Sequence, residues 1–188
     1  MNLRFAAPED VPALLAVYQN YIPTTVTFEY TLPTPEEFSR RVSSVSALYP
    51  YLVLEKGSKV LGYAYAHPIA ERAAYGWGAE LSVYLCPDAV GKGLGKRLYR
   101  ALIELLRLQG VHTVYGLVAS PNPASEALHA ALGFRVMGVQ QKAGYKNGRW
   151  IDLLWFERAV APYDPDPAPL IPVSQLPPEQ VRAVIDGF

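Results

Sequence analysis

Residues 82–96 read SVYLCPDAVGKGLGK, and this stretch decides the fold. A β-rich segment ends there in a short turn, after which an amphipathic helix begins. Three glycines alternate where the helix begins: Gly91, Gly93 and Gly95. Because glycine has no side chain, backbone N–H groups can approach a ligand closely, and the positive end of the helix dipole favours a diphosphate. A tight turn that needs glycine for its backbone alone would show the same pattern.

Two common nucleotide loops fit this turn poorly. A phosphate-binding loop of NTPases requires Gly-Lys-Ser/Thr, whereas Gly95 is followed here by Lys96-Arg97. A dinucleotide site has the spacing G-x-G-x-x-G near a first strand, with an acidic residue about 20 positions later. The spacing G-x-G-x-G in the middle of the chain matches neither motif.

Outward from this turn, hydrophobic periodicity and turn residues predict the order β-α-α-β-β-β-α-β-α-β-β. The predicted strands are 3–5, 51–55, 60–68, 79–86, 112–118, 134–141 and 150–157. The predicted helices begin after Pro8, at Thr34, at Leu94 (ending at Gln109) and at Asn122 (ending at Leu132). Residues 24–30 read as an exposed β-rich loop, and Asn147-Gly148 predicts a hairpin. Antiparallel neighbours combined with a crossover helix indicate an α/β fold with a mixed, mostly antiparallel sheet flanked by helices.

Composition indicates one globular domain with a tail. The 188 residues are 51% hydrophobic, and 17 basic residues balance 17 acidic ones, which favours neither nucleic acid nor a membrane surface as partner. The single cysteine, Cys86, excludes an internal disulfide, and there is no signal-peptide pattern, so we expect a cytoplasmic protein. We predict a domain over residues 1–160 and a proline-rich tail over 161–188 without regular structure, except for one helical turn at 181–185.

Two segments resemble the signatures of the GNAT superfamily of N-acetyltransferases. Val90-Gly91-Lys92-Gly93-Leu94-Gly95 resembles its pyrophosphate loop, Arg/Gln-x-x-Gly-x-Gly/Ala. NPASEALHAALGF, residues 122–134, resembles its second signature. The resemblance covers about residues 1–160 and implies acetyl-coenzyme A as co-substrate, held between two splayed strands. Val90 departs from the pattern, so Lys92 or Lys96 would have to supply the side-chain contact to the phosphates.

The resemblance also implies which residues bind the coenzyme. The diphosphate would lie on the turn and the first residues of the helix, which are Gly91, Lys92, Gly93, Leu94, Gly95 and Lys96. Val83, Tyr84 and Leu85 would hold the pantetheine arm, and Asn122 would lie beside the thioester. Asn122 is also a typical helix N-cap, and the two roles are compatible.

Glu80 and His129 are the candidate catalytic residues. Transfer to an ammonium requires a proton acceptor and a group that deals with the leaving thiolate. From the residues alone, Glu80 could equally be an outward glutamate, and His129 a buried structural histidine. The chain resembles the phosphinothricin and methionine sulfoximine acetyltransferase branch, in which these two positions are the proposed proton handlers. The direction of proton transfer at His129 stays open.

The same resemblance predicts the acceptor pocket. Its expected residues are Phe28, Arg72, Ala73, Ala74, Tyr75 and Tyr145. Arg72 could bind a carboxylate or phosphinate with two donors, and Lys146 is a further candidate cation. Solvated loop cations are the plain alternative for both, and Tyr145 could instead belong to the core.

We therefore predict direct acetyl transfer to a small anionic amino-acid-like amine, by an enzyme that forms a homodimer as members of this branch commonly do. No metal site is expected, because the three histidines and one cysteine lack ligand spacing. The alternatives are a different acceptor (another amino acid, a polyamine or a protein N-terminus) and a non-catalytic acyl-coenzyme A-binding module.

Overall fold

The computed structural model describes all residues, 1–188, and contains one sheet of seven strands. Their bounds are β1 Asn2–Phe5, β2 Tyr51–Lys56, β3 Lys59–Pro68, β4 Gly78–Leu85, β5 Thr113–Ser120, β6 Arg135–Lys146 and β7 Arg149–Ala159. The strand order is β1-β2-β3-β4-β5-β7-β6, and every neighbouring pair is antiparallel except β4 with β5. The predicted mixed, mostly antiparallel α/β architecture is confirmed.

Five α-helices accompany the sheet. They are α1 Val11–Gln19, α2 Pro35–Ser46, α3 Leu94–Gln109, α4 Pro123–Ala131 and α5 Pro178–Asp186. The predicted start of α2 is confirmed by a reciprocal cap, in which Thr34 Oγ1 accepts from Glu37 N–H and Glu37 Oε2 accepts from Thr34 N–H. The predicted helix 94–109 is confirmed at both ends, and Gly110 closes it in the left-handed conformation, with φ 95°.

The two faces of the sheet are covered by different helices. α1 and α2 pack on one face, over a core that includes Tyr18, Phe38, Val53 and Tyr63. α3 packs on the other face, where Leu98, Leu102, Leu105 and Leu106 are fully buried. Because side chains alternate along a strand, Glu80 of β4 lies on the α1–α2 face with Tyr84, and Leu81 lies on the α3 face.

β4 and β5 diverge along their length. Their parallel pairing joins only Gly78–Glu80 with Thr113–Tyr115, after which no ladder connects them. Beyond Glu80, a gap within the sheet therefore separates the facing edges of the two strands. The helix α3 begins shortly after the end of β4. The gap confirms the splayed strands that the sequence resemblance implied.

The proline-rich tail packs on the domain. The indole N–H of Trp77 donates to the Ala168 carbonyl (2.8 Å), and Gln109 Nε2 donates to the carbonyls of Leu48 and Ile171 (2.7 Å each). Leu176 is buried in the α3-side core. The expectation of an irregular tail is wrong at its C-terminal end, because the single turn predicted at 181–185 is the nine-residue helix α5. Its apolar residues pack against the α3 side, a tertiary contact that composition does not reveal.

We expect Leu176→Ala to lower the free energy of unfolding by about 2–3 kcal/mol, since it removes buried apolar volume where the tail meets the core. Ile171→Ala, at a tail position that is 42% exposed, is the matched control and should cost less than about 1 kcal/mol. Urea denaturation of both variants tests this. Equal losses for the two would mean that the tail does not dock through Leu176.

No helix of the structure combines the length and apolar character that crossing a membrane requires.

Candidate active site

The glycine-rich turn leaves its backbone open. Gly91 and Gly93 have φ of 76° and 74°, and a Cβ at either position would meet no atom within 4 Å. Gly93 is the N-cap of α3 and provides no side-chain cap. The first N–H groups of the helix therefore remain free to donate to a ligand. Lys92 is exposed and Lys96 is half-buried on the same turn. This turn fits a diphosphate that is bound mainly by backbone donors.

The gap between β4 and β5 forms a cavity. It is lined by Val26, Leu81, Ser82, Val83, Tyr84, Tyr99, Leu117, Val118, Ala119, Asn122, Ser125 and His129. Eight of the twelve lining residues are hydrophobic, and one unpaired strand edge lies on each side of the cavity. A narrow slot with free backbone groups fits an extended arm that carries amides.

The three β4 residues expected to hold that arm are not equivalent. In the ladder with β3, alternate residues of β4 direct their backbone groups away from β3, and these residues are Leu81, Val83 and Leu85. The Leu81 carbonyl accepts from Tyr99 Oη (3.1 Å), and Tyr21 Oη binds both the N–H and the carbonyl of Leu85. Val83 is therefore the residue whose backbone groups face the gap without a side-chain partner.

Asn122 lies at the N-terminus of α4 and caps it. Its Oδ1 accepts from Ser125 N–H (3.2 Å), and its own N–H donates to Glu126 Oε1 (3.0 Å). The residue also lines the gap, so the structure places it where both predicted roles are available.

Glu80 has an ionic partner that the sequence did not reveal. His67, opposite it on β3, places Nε2 3.6 Å from Glu80 Oε1. Burial alone lowers the pKa of His67, but interaction with Glu80 outweighs it and raises the pKa above the ordinary value of 6.5. The pair lies on the α1–α2 face, and Glu80 directly precedes the gap-lining segment Leu81–Tyr84.

His129 lies on the opposite face, on α4, and is only 2% exposed. Its Nδ1 is 2.8 Å from the Ser125 carbonyl, so Nδ1 carries the proton and Nε2 carries the lone pair. Nε2 is buried and has no hydrogen-bond partner. Burial lowers the pKa of His129 below its ordinary value of 6.5, despite the opposing effect of the Ser125 carbonyl, so the imidazole is neutral at pH 7.

The two candidate catalytic residues therefore flank the gap from opposite faces of the sheet. No hydrogen bond or ion pair joins them, and only His129 lines the gap itself. This arrangement leaves the space between them for a reacting group.

Two expected parts of the acceptor pocket come together. The loop 23–30 lies against the end of β6, where a Cβ on Gly144 would be 2.7 Å from the Phe28 ring. Tyr30 Oη donates to the Tyr145 carbonyl, and Tyr145 is half exposed. The predicted loop at 24–30 is confirmed, since it contains no strand and exposes Val26 and Tyr30, although Thr27 within it is buried.

Lys146, the last residue of β6, is buried rather than a solvated cation. It is 3% exposed, and its Nζ donates to the Thr27 carbonyl (2.6 Å). Burial lowers the pKa of Lys146, against the opposing charge of Glu29. In this position Lys146 holds the Phe28 loop, and its role in acceptor binding stays a prediction.

No hydrogen bond joins the Arg72–Tyr75 segment to Phe28 or Tyr145. Ala73–Tyr75 form a short 3-10 turn, Arg72 is exposed without an ion pair, and Tyr75 is 50% exposed. Ala74 and Tyr75 line a cavity together with Trp77, Tyr115 and Tyr163, the last of which comes from the tail. No group of three or more His, Cys, Asp or Glu side chains is placed to hold a metal ion.

Sequence reasoning missed three residues of this site: His67, Tyr21 and Gly116. His67 and Tyr21 act through tertiary contacts with β4, and Gly116 acts through the space it leaves beside His129. The only available signal was the sequence spacing of His67 and Glu80 around a predicted turn, and that spacing does not fix a strand register.

Comparison with known proteins agrees with this geometry. Residues 3–155 match the family model described as acetyltransferase (GNAT) domain. The chain is 40% identical to a phosphinothricin N-acetyltransferase of Alcaligenes faecalis, over 85% of this chain and 82% of that one. It is 35% identical to an L-methionine sulfoximine/L-methionine sulfone acetyltransferase of Pseudomonas paraeruginosa, over 86% and 95%. A phosphinothricin acetyltransferase from Sinorhizobium meliloti, in complex with acetyl-coenzyme A, superposes with a TM-score of 0.80 at 33% identity, over 94% and 95%.

Proposed function

Since the chain belongs to the GNAT acetyltransferase family, we propose that it transfers acetyl from acetyl-coenzyme A to the amine of a small anionic amino acid of the phosphinothricin or methionine sulfoximine type. The observation that carries the proposal is the gap that opens between β4 and β5 directly after Glu80, with the glycine turn after β4. Together, the turn and the gap offer open backbone donors for a diphosphate, a free strand edge at Val83 and a buried proton acceptor at His129 Nε2.

Three regions of this chain fit the coenzyme. The N–H groups at the start of α3 would hold the diphosphate, with Lys92 and Lys96 adding charge in place of the side chain that Val90 lacks. The Val83 backbone would bind an amide of the arm, and Asn122 would lie at the far end. When bound, the coenzyme supplies an acyl group activated as a thioester.

Glu80 and His129 divide the protons of the reaction. The incoming ammonium must lose one proton before its nitrogen can attack and a second as the N–C bond forms and the C–S bond breaks. Glu80 takes the first proton on the α1–α2 face. His129 Nε2 holds a lone pair, so it takes the second proton and passes it to the leaving sulfur. Nitrogen loses two protons, sulfur gains one, and one is released to solvent.

The acceptor would enter from the α1–α2 face, between the Phe28 loop and the Arg72–Tyr75 turn. Phe28 provides an apolar wall, Arg72 a free guanidinium for an anionic group, and Tyr75 a hydroxyl. Ala73 and Ala74, which lie between Arg72 and Tyr75, have small side chains and leave room for the acceptor. Because Arg72 has no ion pair in the protein, its charge is available to a carboxylate or phosphinate.

The function is tested by following thiol release from acetyl-coenzyme A with a panel of amines. The panel contains phosphinothricin, methionine sulfoximine, methionine sulfone, ordinary amino acids and spermidine. We expect kcat/KM to be highest for the first three. A higher value for spermidine would contradict an anionic acceptor, and no thiol release with any amine, despite coenzyme binding in calorimetry, would favour a binding module.

We also propose that the protein is a cytoplasmic homodimer. The β6–β7 side of the sheet carries exposed apolar side chains, among them Val136, Met137, Val139 and Trp150, which are 50–60% exposed. An apolar surface of this kind is typical of a face that pairs with another protein surface. Light scattering after size exclusion tests the proposal, and a monomeric mass at micromolar concentration would contradict it.

A further inference from the structure

Gly116 lies on β5 at the point where β4 and β5 separate. The last residue of β5 that pairs with β4 is Tyr115, so Gly116 is the first residue at the open edge. On its other side it pairs with Phe156 of β7. Gly116 belongs to the face that is covered by α3 and α4, and the ring of His129 lies directly against it.

The His129 imidazole occupies the position that a side chain at 116 would need. A Cβ on Gly116 would lie 2.1 Å from His129 Nε2 and 2.7 Å from Cδ2, far inside contact distance. The backbone of Gly116 is not in the left-handed region, so any residue could adopt its conformation. Glycine is therefore required at 116 for the space it leaves and not for its backbone freedom.

The ring cannot yield easily to a larger neighbour. It stacks on Phe156 (centroids 4.8 Å apart) and meets Phe134 and Tyr99 edge-on, at 5.0 and 5.6 Å. Its Nδ1–H is bound to the Ser125 carbonyl. A methyl group at 116 must therefore push Nε2 off the strand, and the atom that moves is the buried nitrogen that carries the unpartnered lone pair.

We infer that Gly116 is a positioning residue for acetyl transfer: its missing side chain is what allows His129 Nε2 to lie at the divergence of β4 and β5. This inference rests on the proposed proton-handling role of His129. It adds a second requirement to that role. The imidazole must be present, and it must also occupy the space that the missing side chain of Gly116 leaves. Neither the residues beside His129 on α4 nor the glycine turn before α3 provides this space.

A double-mutant cycle on kcat tests the inference with Gly116→Ala, His129→Ala and the double variant. Gly116→Ala alone should lower kcat by at least about tenfold and move the acidic limb of the pH–rate profile, with KM for acetyl-coenzyme A changed by less than about twofold. In the His129→Ala background, Gly116→Ala should cause no further loss. Gly138→Ala is the matched control on β6, because a Cβ there would meet nothing within 4 Å.

The possible outcomes separate the two proposals. If His129→Ala keeps full activity, the proton role of His129 fails, whatever happens at 116. If Gly116→Ala lowers kcat equally in both backgrounds, or leaves kcat and the pH profile unchanged, the positioning role is overturned. Should Gly116→Ala fold poorly, the double variant, which lacks the ring, should melt at a higher temperature than Gly116→Ala; an equal or lower melting temperature overturns the inference.

Discussion

Replacing Glu80 with glutamine is expected to lower kcat by about 10²–10³-fold and to leave coenzyme affinity unchanged. Glutamine keeps the volume of the side chain but cannot accept the proton of the incoming ammonium. Glu80 does not line the gap, so the coenzyme site should not be altered by the change. Steady-state kinetics with the best amine of the panel and calorimetry with coenzyme A measure the two effects separately.

The ion pair with His67 provides a check that the substitution acts where it is intended. In Glu80→Gln the carboxylate that raises the pKa of His67 is gone, and burial then lowers that pKa. A proton NMR titration should follow this fall. Glu104→Gln, on an exposed helical ion pair with Arg107, is the matched control and should retain full activity. Turnover of Glu80→Gln equal to that of the parent would remove Glu80 from the mechanism.

Local sequence rules predicted the elements that local interactions form. Thr34 and Glu37 specify the start of α2 through two short-range hydrogen bonds. Asn147 and Gly148 both adopt positive φ, 51° and 75°, as a two-residue hairpin between twisted strands requires. The alternating glycines predicted the open turn before α3 for the same reason, because Gly91 and Gly93 need a conformation that other residues avoid.

Contacts between distant segments could not be predicted in this way. His67 meets Glu80 because of the β3–β4 register, and Lys146 is buried because the loop at Thr27 folds over it, 119 residues away in sequence. The docking of α5 and Leu176 also depends on apolar surface that α3 leaves uncovered. A single sequence specifies such contacts only through the whole fold, so the pair His67–Glu80 and the space at Gly116 required coordinates.

Replacing His129 with alanine is expected to lower kcat by about 10²-fold and to abolish the acidic limb of the pH–rate profile. In the parent protein Nε2 must be unprotonated to accept a proton, and the Ser125 carbonyl fixes the proton of the neutral ring on Nδ1. Because burial lowers the pKa of His129 below 6.5, the neutral form dominates at pH 7. The rate should therefore be constant near neutrality and fall only as the pH decreases below 6.5, when the imidazole becomes charged.

Whether the rate falls as the pH rises or as the pH decreases shows whether His129 first donates or first accepts a proton. A residue that donates first would have to be protonated in the resting enzyme, and its rate would fall as the pH rises through its pKa. A residue that accepts first gives the opposite slope, and the lone pair on a buried, unpartnered Nε2 favours this second case. Rate profiles from pH 5 to 9, with His112→Ala as the matched control on the tail side of β5, distinguish the two. An acidic limb that survives in His129→Ala would assign that titration to another group and leave His129 a packing role against Phe134 and Phe156.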